Sequence, residues 1–296
     1  MLEIVAFEPE MAEGVAGLYN DLIEPVPECY PAASARFESV EALGHKRLHD
    51  EKMMVAREGG DVVGFVHVGV AHPAEEDDFP RGEPAVIRFL GCRVGERRVG
   101  QALLEWAERW ARGQGRSEVI AWHAGLRYPF YHFGWAHLSE RIGHVRALFG
   151  MNGYEEYEAE VFLTWRDYEP PKTVRPTLEF DLRMDWRKGP LGERLAVEAT
   201  EGPTEVGHCS VDRGQHSRPE GKEWCYCNSL DVKDELQGKR LGRFLLGTAL
   251  AAMKEKGCRH AAISTNGTNY RAQLMYTNLG YRFADQTCSF KKELGE

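Results

Sequence analysis

Disulfide frameworks, metal centres, membrane spans and nucleic-acid faces leave marks that this sequence lacks. Its seven cysteines (Cys29, Cys92, Cys209, Cys225, Cys227, Cys258 and Cys288) are odd in number and irregularly spaced. That argues against a disulfide scaffold and fits reduced, structural thiols in a reducing compartment. No C-x-x-C pair occurs, so no metal site is expected. No run approaches the ~20 apolar residues of a membrane span. The first residues, MLEIVAFEPE, lack the basic stretch and apolar core of a secretory signal. The expected setting is the cytoplasm, with no membrane partner. Positive charge is also scarce: 37 Lys and Arg stand against 46 Asp and Glu, a net charge of −9. A nucleic-acid partner would require a basic face, so none is expected. A local basic pocket for a phosphate-bearing ligand remains compatible with that balance.

What is present reads as an ordinary globular chain. Hydrophobic residues make up 43% and charged residues 28% of 296, and that length suggests about two domains at ~150 residues each. An internal repeat supports the division. Gly95–Gly115 reads GERRVGQALLEWAERWARGQG, and Gln237–Gly257 reads QGKRLGRFLLGTALAAMKEKG. Gly100 lies over Gly242 and Gly115 over Gly257. The same offset stacks Arg97 on Lys239, Arg98 on Arg240, Val99 on Leu241, and Leu103-Leu104 on Leu245-Leu246. Each copy opens with a glycine-and-basic loop, continues as a helix and stops at glycine. Val99, Leu103, Trp106 and Trp110 share one helical face, as do Leu241, Leu245, Thr248 and Ala252.

Runs rich in Val, Ile, Phe and Tyr flank both helices and predict strands. In the first copy they are 52–57, 62–70, 85–90 and 118–122. In the second they are 194–199, 204–211, 224–232 and 260–265. A helical stretch at 9–23 has no counterpart in the second copy. Prolines at 170, 171 and 176 break helix and sheet alike, so 169–177 is the expected linker. The domains are then 1–168 and 178–296.

The segment Val232–Leu246, VKDELQGKRLGRFLL, runs from a strand through a short loop into a helix. Such a loop presents backbone N–H groups at a helix N-terminus, where the dipole favours anions. Lys239, Arg240 and Arg243 can add charge-assisted hydrogen bonds. The alternative is a plain loop with a solvated basic helix start. The spacing is neither G-x-x-x-x-G-K-[ST] nor G-x-G-x-x-G. After the next strand comes NGTNYRAQLMYTNLGYRF, with Asn269, Ala272, Tyr276, Gly280 and Tyr281 spaced as in N-x-x-A-x-x-x-Y-x-x-x-G-[FY]. This block resembles the last block of the GCN5-related N-acetyltransferases (GNAT). VKDELQGKRLG resembles that family's acyl-CoA block, V-x-P-x-x-[QR]-x-x-G-x-[GA]. Asp234 departs from the usual proline, and Arg240 from the usual middle glycine.

The resemblance implies an α+β fold: two GNAT-like domains in tandem, each a twisted, mixed, mostly antiparallel sheet flanked by helices. It implies an enzyme, an N-acyltransferase moving an acetyl or other acyl group from acetyl-CoA or another acyl-CoA to an amine of a small molecule. Leu230, Asp231 and Val232 would pair their backbone with pantetheine. Gln237, Gly238, Lys239, Arg240, Leu241, Gly242 and Arg243 would cradle the diphosphate. Asn269 would bind the CoA backbone, against the alternative of helix capping, and Tyr276 would act as the acid. Glu223 is the candidate base, with His208 and Asp231 as rivals. The first copy keeps Arg97, Arg98 and Gly100. Its ending, Tyr128-Pro129-Phe130-Tyr131-His132-Phe133-Gly134-Trp135, lacks a residue and an Asn269 match, so it reads as a degenerate copy. His123 is a further candidate there. Acidic residues Glu75-Glu76-Asp77-Asp78 could attract cationic amines. Rival readings are a mycothiol-synthase-like enzyme, a protein N-acetyltransferase, or a non-catalytic acyl-CoA sensor. The expected state is monomer or homodimer.

Overall fold

The structure, a computed structural model, describes residues 1–73, 82–132, 134–189, 192–214 and 219–295. The acidic run Glu75–Asp78 and Phe133 lie outside the described residues. The chain forms two compact units, Met1–Glu160 with Asp285–Glu296, and Val161–Ala284.

The first unit contains strands β1 (Leu2–Ala6), β2 (Leu48–Glu58), β3 (Asp61–Ala71), β4 (Ala85–Cys92), β5 (Glu118–Ala121) and the two-residue β6 (Leu138–Ser139). Its helices are α1 (Ala12–Ile23), α2 (Val40–Leu43), α3 (Arg97–Gly113) and α4 (Gly143–Met151). Strand β7 (Glu155–Trp165) carries the chain into the second unit. There follow β8 (Asp181–Lys188), β9 (Glu193–Glu201), β10 (Thr204–Arg213), β11 (Trp224–Val232), α5 (Leu241–Glu255), β12 (His260–Asn266) and α6 (Tyr270–Leu279). Strand β13 (Arg282–Glu293) returns the chain to the first unit.

Strands run in the order β1-β2-β3-β4-β5-β13-β7 in the first unit and β7-β12-β11-β10-β9-β8 in the second. The β1–β2, β2–β3 and β3–β4 pairs are antiparallel and β4–β5 is parallel. In the second unit β8–β9, β9–β10 and β10–β11 are antiparallel and β11–β12 is parallel. Each unit is therefore a mixed, mostly antiparallel sheet with helices against it. A parallel step needs a crossover, and the repeated helices α3 and α5 supply it. Among the described residues no helix is long and apolar enough to cross a membrane.

The periodic residues go where amphipathicity sends them. On α3, Val99, Leu103, Ala107 and Trp110 are buried, and Trp106 stacks on Trp110 with ring centroids 6.5 Å apart. On α5, Leu241, Phe244, Leu245, Leu246, Ala249, Leu250 and Met253 are buried. They face Cys209, Val211, Cys225 and Cys227 in one core. All seven cysteines are free thiols, six of them buried.

The last strand departs from the sequence-based division of the chain. Residues 285–296 belong to the first unit, because Phe290–Glu293 pair antiparallel with Ala121–Glu118. The proline-bearing stretch 169–176 lies inside the second unit. There the Arg175 guanidinium donates to Phe180 O and sits 4.2 Å from its ring. Val161, Leu163 and Tyr168 are part of that unit's core. Tyr168 is fully buried and its hydroxyl donates to Leu250 O at 2.9 Å.

Tyr168 thus gives a direct check on that core. Tyr168→Ala is expected to cost about 3–5 kcal/mol in urea unfolding, as aromatic-to-alanine core changes do. Tyr168→Phe is expected to cost about 1 kcal/mol for the hydrogen bond. A loss below about 1 kcal/mol for the alanine variant would remove residues 161–168 from the second unit's core.

Candidate active site

Parallel pairing of β11 with β12 runs from Trp224–His260 to Cys227–Ile263. On its other side, β11 pairs with β10 through a register shift: Ser229 faces Ser210, and Cys227 faces Val211. Asn228 is the extra residue of a β-bulge, which bends a strand and re-aims its side chains. Past this point a crevice of about 640 Å³ opens. From β11 it is lined by Cys227, Asn228, Ser229, Leu230, Asp231 and Val232. The following loop and helix turn contribute Gln237, Gly238, Arg240, Leu241, Gly242 and Arg243. Asn269 and Tyr276 line it from α6.

The loop ends in unusual backbone. Gly238 has φ +80° and Arg240 has φ +70°. A side chain in the left-handed region costs roughly 1–2 kcal/mol, so glycine would suit residue 240 better. Arg240 takes the conformation nonetheless and stands as the N-cap of α5. The first amide bonded within the helix is Phe244 N–H, to Arg240 O at 3.0 Å. The N–H groups of Arg240, Leu241, Gly242 and Arg243 precede it and have no acceptor inside the helix. Space above them is open: a Cβ on Gly242 would meet only Val232 Cγ2 at 3.5 Å and Met275 Sδ at 4.0 Å. Consecutive free amides at a helix N-terminus are an anion site. The residues present fit the diphosphate of a CoA-type ligand.

Other expected ligands have local duties. Gln237 Nε2 donates to Asp234 Oδ1 at 2.8 Å and to Val232 O at 3.2 Å, while Gln237 Oε1 accepts from Arg271 at 2.8 Å. Asp234 therefore holds by hydrogen bonding a loop that proline would stiffen covalently. Lys239 is exposed and is not among the lining residues. Asn269 caps α6, its Oδ1 accepting from Ala272 N at 3.1 Å. Tyr276 is buried and faces the crevice. After α6, Gly280 has φ +126°, and a Cβ there would come within 2.7 Å of the Trp165 ring.

The structure does not bring Glu223 to the crevice. Glu223 adjoins Trp224, whose partner His260 begins the parallel ladder. The crevice opens at the opposite ends of both strands. Glu223 lies 3.4 Å from Arg259 Nη1 and 3.8 Å from His260 Nε2. Asp231 does line the crevice. His208, on β10, lies 2.6 Å from Ser229 Oγ through Nε2 and 2.8 Å from Glu205 Oε1 through Nδ1. Asn228 donates to Asp212, which Arg194 clamps at 2.6 and 2.8 Å. The residues missed from sequence are Asn228, Ser229, Ser264, Thr265 and Arg271. They depend on the bulge and on α6 standing beside the loop, and no short spacing signals either.

The equivalent position in the first unit is closed. Its helix begins two positions earlier in the repeat, at Arg97, and the positive φ moves to Gly95. Val99 N and Gly100 N both bond to Glu96 O, at 3.0 and 3.2 Å. Arg98 pairs with Glu58 at 2.6 Å. A Cβ on Gly100 would strike Cys92 Sγ and Leu148 Cδ2, both at 2.8 Å. Instead of a counterpart to α6, residues 128–131 form turns, and Tyr131 accepts from Ser139 N at 3.1 Å. Burial pushes the Tyr131 hydroxyl well above the usual tyrosine range. His123 is buried and its Nδ1 accepts from Gly125 N at 3.1 Å. Among the described residues no group of three or more His, Cys, Asp or Glu could hold a metal ion.

Residues 154–281, which contain the whole crevice, match the family model described as Acetyltransferase (GNAT) family. No curated protein matches the chain significantly. Among solved structures, a tandem GNAT protein from the clavulanic acid biosynthesis pathway aligns at 17% identity and TM-score 0.69, over 100% of this chain and 99% of that one. A GCN5-related N-acetyltransferase from Sphaerobacter thermophilus aligns at 14% identity and TM-score 0.65, over 99% and 95%. A GCN5-related glucosamine N-acetyltransferase region of a fungal multi-domain β-N-acetylglucosaminidase aligns at 14% identity and TM-score 0.68, over 99% of this chain but 38% of that one. Residues 154–281, the crevice-bearing segment, thus match the GNAT acetyltransferase family, and the chain from end to end has the two-domain fold of a tandem GNAT protein.

Proposed function

We propose that this protein transfers an acetyl or other acyl group from acyl-CoA to an amine of a small molecule, using the second unit. One observation carries the reading. The free amides of residues 240–243 and the Tyr276 side chain open into the same crevice. The amides and the Arg240 and Arg243 guanidiniums receive the diphosphate. Residues 230–232 pair with β10 on one side and lie beyond the last β11–β12 pair on the other, so pantetheine can lie along that second edge as an added strand. Tyr276 donates its hydroxyl proton to the departing CoA sulfur. Asn269 contributes by capping α6 and so setting where Tyr276 sits. The first unit, in which Glu96 O takes two of the matching amides, binds no cofactor of its own. Free thiols throughout suit a reducing cytoplasm.

Three measurements test this. In a panel of amines that includes amino sugars, thiol release from acetyl-CoA by Tyr276→Phe should fall about ten-fold or more, with acetyl-CoA affinity retained. Unchanged turnover would remove Tyr276 from the chemistry. Intact acetyl-CoA binding without thiol release from the wild type, whatever the amine, would identify a sensor instead. Arg240→Gly should weaken acetyl-CoA binding about ten-fold through loss of a charge-assisted hydrogen bond. Fold stability should change by less than about 1 kcal/mol, because relief of the left-handed backbone offsets the added chain entropy of glycine. An unaltered dissociation constant would take the guanidinium out of the cradle. Calorimetric titration should saturate at one acetyl-CoA per chain, and two equivalents would restore a binding role to the first unit.

A further inference from the structure

We infer that Ser229 and His208, oriented by Glu205, form the proton relay that deprotonates the acceptor amine; this rests on the acyl-transfer reading above. His208 and Ser229 sit on adjacent antiparallel strands. His208 faces Asp231 directly, and Ser229 faces Ser210 two positions along, so the two side chains are diagonal neighbours on one face. The bulge at Asn228 aims Ser229 at both the imidazole and the crevice.

The hydrogen bonds define the roles. An ionised carboxylate only accepts, so Glu205 Oε1, 2.8 Å away, assigns the proton to His208 Nδ1. Nε2 is then the bare nitrogen, and the Ser229 hydroxyl donates to it at 2.6 Å. The lone pairs of Ser229 Oγ remain as acceptors on the crevice side. This is the arrangement of an acceptor group, a base and an orienting acid that activates O–H and N–H bonds in enzymes. Carboxylates surround the ring: Glu205 on its own strand, Glu198 directly opposite on β9, and Asp231 directly opposite on β11. Arg187 on β8 partly neutralises Glu198, 3.4 Å away. The remaining negative charge draws ammonium groups toward the crevice.

The step balances as follows. The amine N–H proton moves to Ser229 Oγ while the Ser229 proton moves to His208 Nε2. The nitrogen lone pair forms the C–N bond to the acyl carbon. The C–S bond breaks, its electron pair leaves on sulfur, and Tyr276 supplies the proton that makes CoA thiol. The His208 side chain is about one-third exposed, so it can return its proton to water. Asp231 also lines the crevice, but imidazole is intrinsically a stronger base than carboxylate and better matched to an amine.

The test records pH–rate profiles of thiol release for wild type, His208→Gln, Ser229→Ala and Asp231→Asn, with acetyl-CoA affinity and melting temperature measured on each. His208→Gln should lower kcat about 100-fold, with affinity and melting temperature preserved. Its profile should lose the acidic limb in the imidazole range and keep only the dependence on free-amine concentration. Ser229→Ala should change the profile in the same direction, and in a further variant, His208→Ala, added imidazole should restore part of the activity. A wild-type rate and profile in His208→Gln would overturn the relay, as would loss of the acidic limb in Asp231→Asn alone. A burst of CoA without amine, leaving Ser229 acylated, would make Ser229 a nucleophile and also overturn it. Thiol release absent from the wild type with every amine would sink the acyl-transfer reading itself, and the relay with it.

Discussion

Four backbone N–H groups at the start of α5 cannot be satisfied by the helix they begin, and the arrangement of the second unit leaves them open. Arg240 holds a left-handed backbone, Gly238 precedes it with the same hand, and the helix proper starts only at Leu241. Asp234, Gln237 and Arg271 brace the loop from outside. The crevice that these donors adjoin is also lined by Tyr276 and by residues 227–232 of β11. An unmet donor costs most in a dry interior. At the mouth of a crevice it remains solvated until an anion replaces the water.

The two units show how little change closes such a site. Both carry the glycine-and-basic loop and the same helix. In the first unit the helix starts two positions earlier in the repeat, Glu96 O takes two amides, and Leu148 of α4 covers Gly100. A strongly aromatic core then fills the unit, with Phe89 at 4.4 Å from Trp122 and Trp122 at 5.3 Å from Tyr131. Phe89, Trp122 and Tyr131 are all buried in this packing. The same motif letters therefore support an open cradle in one unit and a sealed helix start in the other.

Much of the architecture was legible because it rests on local periodicity. The helix faces of α3 and α5 follow from apolar spacing, and Gly115 and Gly257 stop those helices with φ +70° and +91°. Every strand-like run coincides with a strand. The repeat displayed the tandem, and the two motif blocks pointed to the residues that line the crevice. The less legible parts involve partners distant in sequence. Glu223 looked like a base from its position before β11, yet it sits at the far end of the strand beside Arg259 and His260. Ser229 carried no signal, because its meaning depends on a bulge at Asn228 and on His208 twenty-one residues earlier.

The sequence alone determined the pairing of two related units, the helix-start loop in each and the block containing Tyr276, because these are set by chemistry within a few residues of chain. Only the tertiary structure decided which loop keeps its amides free and which carboxylate is remote from the crevice. It also decided where the final strand goes: Phe290–Glu293 complete the first unit's sheet against β5. Such outcomes depend on strand register and on what packs over a helix N-terminus. Those contacts join residues far apart along the chain, and local spacing carries no record of them.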